Sequence, residues 1–316
     1  MPTADLRFAR RRLLDAAAAA AATWAITPRS ARAEPTKRDA AEGYIDAHVH
    51  VWTSDTRRYP LATGYTKRQM AIPSFTPEEL FVHARPCGVK RVVLIQMSYY
   101  GSDNSYMLDM VHRHKGVFSG VGIVDEAGDP RPKMRELARQ GVRGFRIAAG
   151  TQAPDRWLAS DAMAAMWRCG AEDRLAICPL MNPEYLPALE AMCRKHPKTP
   201  VVIDHFARIG IDGQIRTRDL ENLCGLARHK SVRVKLSAYY ALGRKKAPYL
   251  DLAPMIRRLL DAFGPERLMW ASDSPFQVLG GHRYRDSIAL IRERLDFLTA
   301  ADREWLLRRS AEQVFF

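Results

Sequence analysis

Two histidines one residue apart, His48 and His50, stand in the run Tyr44-Ile45-Asp46-Ala47-His48-Val49-His50-Val51-Trp52. The apolar start reads as a short buried strand, which turns residues i and i+2 to one face, so Asp46, His48 and His50 are expected to form one inward row. Cα atoms roughly 6.6 Å apart let both imidazoles reach a single ion at about 2.0 to 2.1 Å. A chain with nine histidines has roughly a one-in-four chance of holding such a pair at random. What gives this one weight is company. The apolar run Leu268 to Ser272 ends in Asp273, and Val201-Val202-Ile203 ends in Asp204-His205. A carboxylate just past a buried strand is costly without a cation or hydrogen bonds. Its other reading, a helix N-cap, is weakened by the loop-like stretch Pro275 to Gly281. Asp273 and His205 are therefore the candidate catalytic pair, and His48, His50, His205 and Asp273 the candidate ligands of a divalent ion.

Something must bring these distant residues together. From Tyr44 the chain alternates short β-rich runs with helical periods, the pattern of a parallel sheet with crossover helices. The runs are Tyr44 to Val51, Arg91 to Ser98, Val117 to Val124, Val142 to Ile147, Leu175 to Met181, Val201 to His205, Val232 to Ser237 and Leu268 to Ser272. Helical stretches separate them: Thr76 to Cys87, Asn104 to His114, Pro130 to Gln140, Asp161 to Glu172, Pro183 to His196, Thr217 to His229 and Pro248 to Phe263. Eight such units predict an α/β fold, a (β/α)8 TIM-like barrel spanning 44–316, whose chemistry sits where the strands end. No Gly-x-Gly-x-x-Gly turn follows the first run, which argues against an open dinucleotide-binding sheet. The long connection Trp52 to Ser74 follows strand 1 and is expected over the mouth, where Trp52, Tyr59 and Tyr65 either wall a pocket or pack among themselves.

Residues 1–33 read as a cleaved export signal. Arg10-Arg11-Arg12 precedes an apolar, alanine-rich run from Ala16 to Ile26, and Ala31-Arg32-Ala33 offers a small-x-small cleavage site. Arg10-Arg11-x-Leu13-Leu14 is of the twin-arginine type, which predicts a periplasmic or secreted protein exported already folded. A polar linker, 34–43, follows. No later stretch approaches 18 apolar residues, so no membrane association is expected after cleavage. The leader holds six Arg and two Asp, a net of +4 out of +14, and the remainder still carries +10. That excess favours an anionic small molecule. The basic residues are scattered, without the aromatic-interleaved stripe of a nucleic-acid surface. Five cysteines without a C-x-x-C pair predict buried free thiols.

The motifs Tyr-Ile-Asp-Ala-His48-Val-His50-Val-Trp, Leu-Ile-Gln96-Met-Ser98, Gly-Val-Arg-Gly-Phe-Arg146, Ile-Asp204-His205, Val-Lys235-Leu-Ser237 and Trp-Ala-Ser-Asp273-Ser-Pro275 together resemble the amidohydrolase-related family of the amidohydrolase superfamily. Within it the sequence is similar to the branch of lactonases acting on sugar lactones and carboxylated lactones. The resemblance implies a distorted β/α barrel, a divalent metal near the His-x-His pair, with zinc the expected ion, and Asp273 as the base that activates water. Strand 4 ends in Arg146 and supplies no Lys or Glu to bridge two metals, so at most one ion is expected. Strand 5 lacks the His that many metal-dependent members carry, and some lactonases of the branch need no metal, so the ion is expected to be weakly held or dispensable.

The expected activity is hydrolysis of a lactone, metal-assisted, in an exported enzyme. His205 is expected to stabilise the oxyanion if it is not a ligand. Arg146 and Arg208 are placed to hold a substrate carboxylate through paired hydrogen bonds, with Gln96, Ser98 and Tyr99 on the same rim. Lys235, inside an apolar strand, reads equally as a structural ion-pair partner. Alternatives are a non-oxidative decarboxylase of the same family, opposed by the missing strand-5 His; a metal-dependent nuclease, opposed by Arg146 where an acid is needed; and a non-catalytic exported binding protein, which leaves Asp273 unexplained.

Overall fold

A computed structural model describes residues 43–316 apart from 127 and 151. The predicted leader and nearly all of the linker lie outside the described residues. Eight parallel strands run in the order of the sequence: β1 (Tyr44–Val49), β2 (Val89–Ile95), β3 (Phe118–Gly122), β4 (Val142–Ala148), β5 (Ala176–Leu180), β6 (Val201–Ile203), β7 (Val232–Leu236) and β8 (Leu268–Trp270). The ends of the sheet meet through a parallel bridge between Val49 and Ser274, with His50 N–H donating to Ser274 O at 2.8 Å and Asp273 N–H to His48 O at 2.9 Å. β8 is thus the neighbour of β1, and Asp273 stands beside the histidine pair rather than across the mouth from it.

Helices cover the outside: α1 (Pro77–Ala84), α2 (Ser105–Arg113), α3 (Arg131–Arg139), α4 (Pro154–Trp157), α5 (Asp161–Asp173), α6 (Leu186–Lys195), α7 (Thr217–Gly225), α8 (Ala253–Phe263), α9 (Tyr284–Ala289), α10 (Ala300–Glu304) and α11 (Ser310–Phe315). Thr76 starts α1 with a reciprocal cap to Glu79, which satisfies two donors that a helix start leaves open. Short 3-10 turns at Pro183–Tyr185 and Leu250–Leu252 take up the predicted starts of α6 and α8.

The barrel is filled from below. Ile45, Ala47, Val93, Ile95, Val121, Ala176, Cys178, Val202, Met269 and Ala271 form an inner cluster, and Ala311 and Phe315 of α11 pack against it. Above this apolar floor the inward positions turn polar, with Arg146 on β4, Lys235 on β7 and Asp204 just past β6. All five cysteines are free, and only Cys224 is more than marginally exposed.

Most strands are shorter than the sequence suggests, and three of the early ends bear on the site. β1, β6 and β8 stop at Val49, Ile203 and Trp270, so His50, His205 and Asp273 lie past the ladder. His205 and Asp273 have φ of +51° and +63°, a left-handed conformation that no strand accommodates. The expected inward row on β1 is also broken. A register shift between Asp46 and Val49 brings His48 inward directly after inward Ala47. Asp46 faces the helix layer instead, where it accepts from Tyr284 Oη at 2.8 Å and from Ser272 N–H at 2.9 Å.

Candidate active site

His48 and His50 are oriented from behind. His50 Nδ1 lies 2.9 Å from Ile95 O, an acceptor only, so this nitrogen carries the proton and Nε2 presents a lone pair. His48 Nδ1 lies 3.3 Å from Asp204 Oδ1 and 3.2 Å from Lys235 Nζ. The two Nε2 atoms approach to 3.2 Å. Asp273 Oδ1 completes the triangle at 3.5 Å from His48 Nε2 and 3.6 Å from His50 Nε2. That oxygen is buried and has no hydrogen-bond partner among the described residues. Tetrahedral ligands at about 2.0 to 2.1 Å from a zinc ion stand roughly 3.3 to 3.4 Å from one another, so these three atoms fit one face of such a site.

A second grouping, His48, Asp204 and His205, also converges, but its carboxylate is already committed. Asp204 meets Lys235 Nζ at 2.9 Å and Arg146 Nη2 at 3.0 Å, all with little or no exposure. Burial alone would raise its pKa, yet Lys235, then His48 and Arg146, hold it well below the ordinary value. Two neighbouring cations make it a poor place for a third. The first grouping, whose carboxylate oxygen Oδ1 is uncommitted, is the better candidate, although Arg146 Nη2 also lies 3.0 Å from its His48 Nε2.

The same burial keeps the imidazoles neutral. His48 and His50 are pushed well below the ordinary histidine value, first by desolvation, then by Lys235 for His48 and Arg146 for His50. His205 falls to about 3, again chiefly by burial. Asp273 rises to about 7 through desolvation, although a hydrogen bond from Tyr240 opposes the shift.

His205 begins an unusual turn. His205, Phe206, Ala207 and Arg208 all have φ between +51° and +58°, a left-handed turn that costs L-residues roughly 1 to 2 kcal/mol each. Phe206 and Ala207 are fully buried beneath it. In a 3-10 turn residues i and i+3 eclipse, so His205 and Arg208 present their side chains to the same space. Ser237 Oγ lies 2.8 Å from His205 Nδ1 and fixes the ring. A cavity of about 290 Å³ opens above, lined by His50, Arg146, His205, Arg208, Tyr240 and Asp273 among others.

Residues 45–316 match the Amidohydrolase family. The chain belongs to it. An L-fucono-1,5-lactonase from Burkholderia ambifaria is 32% identical, over 75% of this chain and 82% of that one. A 4-sulfomuconolactone hydrolase from Rhizobium radiobacter is 29% identical, over 78% and 80%. In fold, the chain resembles a crystal structure of an amidohydrolase from Burkholderia multivorans with bound zinc, with a TM-score of 0.72, 22% identity and coverage of 86% and 98%. This amidohydrolase is an enzyme of the hydrolase class, and its relatives are named lactone hydrolases.

The cavity of this amidohydrolase gathers His50, Ser98, Arg146, His205, Arg208 and Asp273. Gln96 and Tyr99 are not on its wall. Gln96 faces the helix layer and donates to Gly101 O at 3.3 Å and Asp103 O at 2.6 Å, shaping the loop after β2. Tyr99 Oη accepts from Ala71 N–H at 2.8 Å, and its ring packs edge-on to Trp52. Tyr99 thus holds the long loop after β1. Trp52 belongs to that loop's own packing, its Nε1 donating to Ile72 O at 2.9 Å, whereas Tyr59 packs against Tyr106 of α2. Arg146 is partly committed, its Nη2 lying 3.0 Å from both Asp204 and His48 Nε2. The Arg208 guanidinium makes no hydrogen bond or ion pair among the described residues.

Tyr240 was not singled out from the sequence. It follows β7 by four residues and donates to Asp273 Oδ2 at 2.7 Å. Asp204, quoted only as part of a motif, proves to be the hub of the polar layer.

Proposed function

We propose that this amidohydrolase opens the ring of a small lactone bearing an anionic group, with Asp273 as the base, and that it works outside the cytoplasm after removal of residues 1–33. The observation that carries the reading is Asp273 Oδ1, buried without a hydrogen-bond partner among the described residues and nearly equidistant from the Nε2 atoms of His48 and His50. His48, His50 and Asp273 would hold one divalent ion, zinc by the preference of a nitrogen-rich tetrahedral set. Bound there, the ion supplies Lewis acidity, polarising a carbonyl and making water easier to deprotonate.

The chain's own groups do the rest. Asp273 accepts a proton from the attacking water as the new C–O bond forms. The ring C–O bond then breaks, and the departing alkoxide takes that proton back, leaving a hydroxy acid. His205, neutral and held by Ser237, donates from Nε2 to the developing oxyanion. Arg208, with a guanidinium free of partners among the described residues, binds the anionic substituent. Zinc content of the purified protein and proton release from paired lactones, with and without a carboxylate or sulfonate, test this reading. Preferential opening of the charged lactones is expected. Failure to open any lactone, or release of carbon dioxide in place of ring opening, overturns it.

A further inference from the structure

We infer that Tyr240 is a positioning residue that aims the Asp273 carboxylate at the His48–His50 pair, an assignment that rests on the hydrolase reading above. Asp273 holds its two oxygens in different company. Oδ2 accepts from the Tyr240 hydroxyl at 2.7 Å, whereas Oδ1 accepts from no donor among the described residues and faces the two Nε2 atoms at 3.5 and 3.6 Å. A carboxylate past the end of a strand turns freely about its last torsion, which is broad for sp³–sp² bonds. Among the described residues the hydroxyl is its one hydrogen-bond donor, so the plane of the carboxylate, and with it the aim of Oδ1, depends on this contact. His205 Nε2, at 3.8 Å from Oδ2, is too far to share the task.

The tyrosine is itself held. Ala238, with φ of +57°, turns the chain after β7 and sets two adjacent tyrosines apart. Tyr239 is fully buried against Phe206 and Tyr249, and Tyr240 faces the cavity. The Tyr240 ring stacks on Phe276 with planes 25° apart and lies 6.1 Å from the His282 ring. Phe276 comes from the loop that follows Asp273, so the hydroxyl and the carboxylate it meets belong to one packed unit. A phenol fixed in this way loses little freedom when it donates, which is the condition under which a partner outside the ligand set orients a ligand.

The role belongs to one oxygen atom, and two variants separate it from the ring. Tyr240→Phe keeps the stacking and removes the donor; Tyr240→Leu removes both. Zinc affinity of the purified protein is measured by competition with a chromophoric chelator, and kcat and KM are measured on the best lactone, with thermal unfolding as a check that each variant is folded. Loss of a partner outside the ligand set typically costs about 10- to 100-fold in metal affinity or activity. Tyr240→Phe is expected to weaken zinc by about that factor and to lower kcat with KM little changed, and Tyr240→Leu to add little to the loss. Wild-type zinc affinity in Tyr240→Phe, or no zinc bound by the unaltered enzyme, overturns the assignment. A larger loss in Tyr240→Leu than in Tyr240→Phe also overturns it, since packing would then carry the effect. Failure of the unaltered enzyme to open any lactone while zinc affinity still drops in Tyr240→Phe counts against the hydrolase reading alone.

Discussion

At the scale of single residues the site divides its cations by partner. Lys235 and Arg146 share the one carboxylate of Asp204, and the Arg208 guanidinium is left to the cavity. A hydrogen bond to a charged group contributes about 1.5 to 3 kcal/mol, so Arg208→Gln should raise KM for an anionic lactone by roughly 10-fold or more with kcat little changed. Steady-state kinetics on a charged and an uncharged lactone check this, and an equal KM increase on both would remove Arg208 from anion binding. His48, His50, His205 and Asp273 were legible in the sequence because a metal or proton site needs those residue types at strand ends. Gln96 was misplaced by one step of alternation: Ile95 points into the barrel, which turns Gln96 outward and brings Met97 to the cavity. Tyr240 gave no signal, since a tyrosine pair after a strand reads as core until the fold shows which ring meets Asp273.

At the scale of elements the sequence foretold eight strands and their order, and missed what happens at their ends. No glycine marks the left-handed turn from His205 to Arg208, and no local residue announces the shift between Asp46 and Val49; both are imposed by packing. The turn makes a prediction at Ala207. A β-branched residue is strongly disfavoured at positive φ, so Ala207→Val should cost about 1 to 3 kcal/mol, while Ala207→Gly, free of that strain, should keep the activity. Urea denaturation and turnover of both variants test it, and a fully stable Ala207→Val would contradict the turn. The polar layer makes another. Lys235 is fully buried against Asp204, and removing one partner of such a pair typically costs about 3 to 5 kcal/mol. Lys235→Met should therefore lower the denaturation midpoint strongly, and an unchanged midpoint would show that the pair contributes little.

At the scale of the whole molecule, one end of the barrel is plugged by its last helix and the other carries the chemistry. Phe315 closes the floor beneath the inner cluster, and Lys235 Nζ stands 5.6 Å from the centre of its ring, so the C-terminal helix also supports the charged layer. Among the described residues no helix is long and apolar enough to cross a membrane. If the Arg10-Arg11 leader directs export, N-terminal sequencing of protein from the periplasm should begin at Glu34, and an intact Met1 on that material would reject cleavage. The central claim is narrower than export or metal identity: a carboxylate at the end of β8 takes the proton of the water that opens the ring. Asp273→Asn keeps the shape and removes the base, so kcat on the best lactone should fall by at least roughly 100-fold in a protein that still folds. Wild-type kcat in Asp273→Asn would contradict the account.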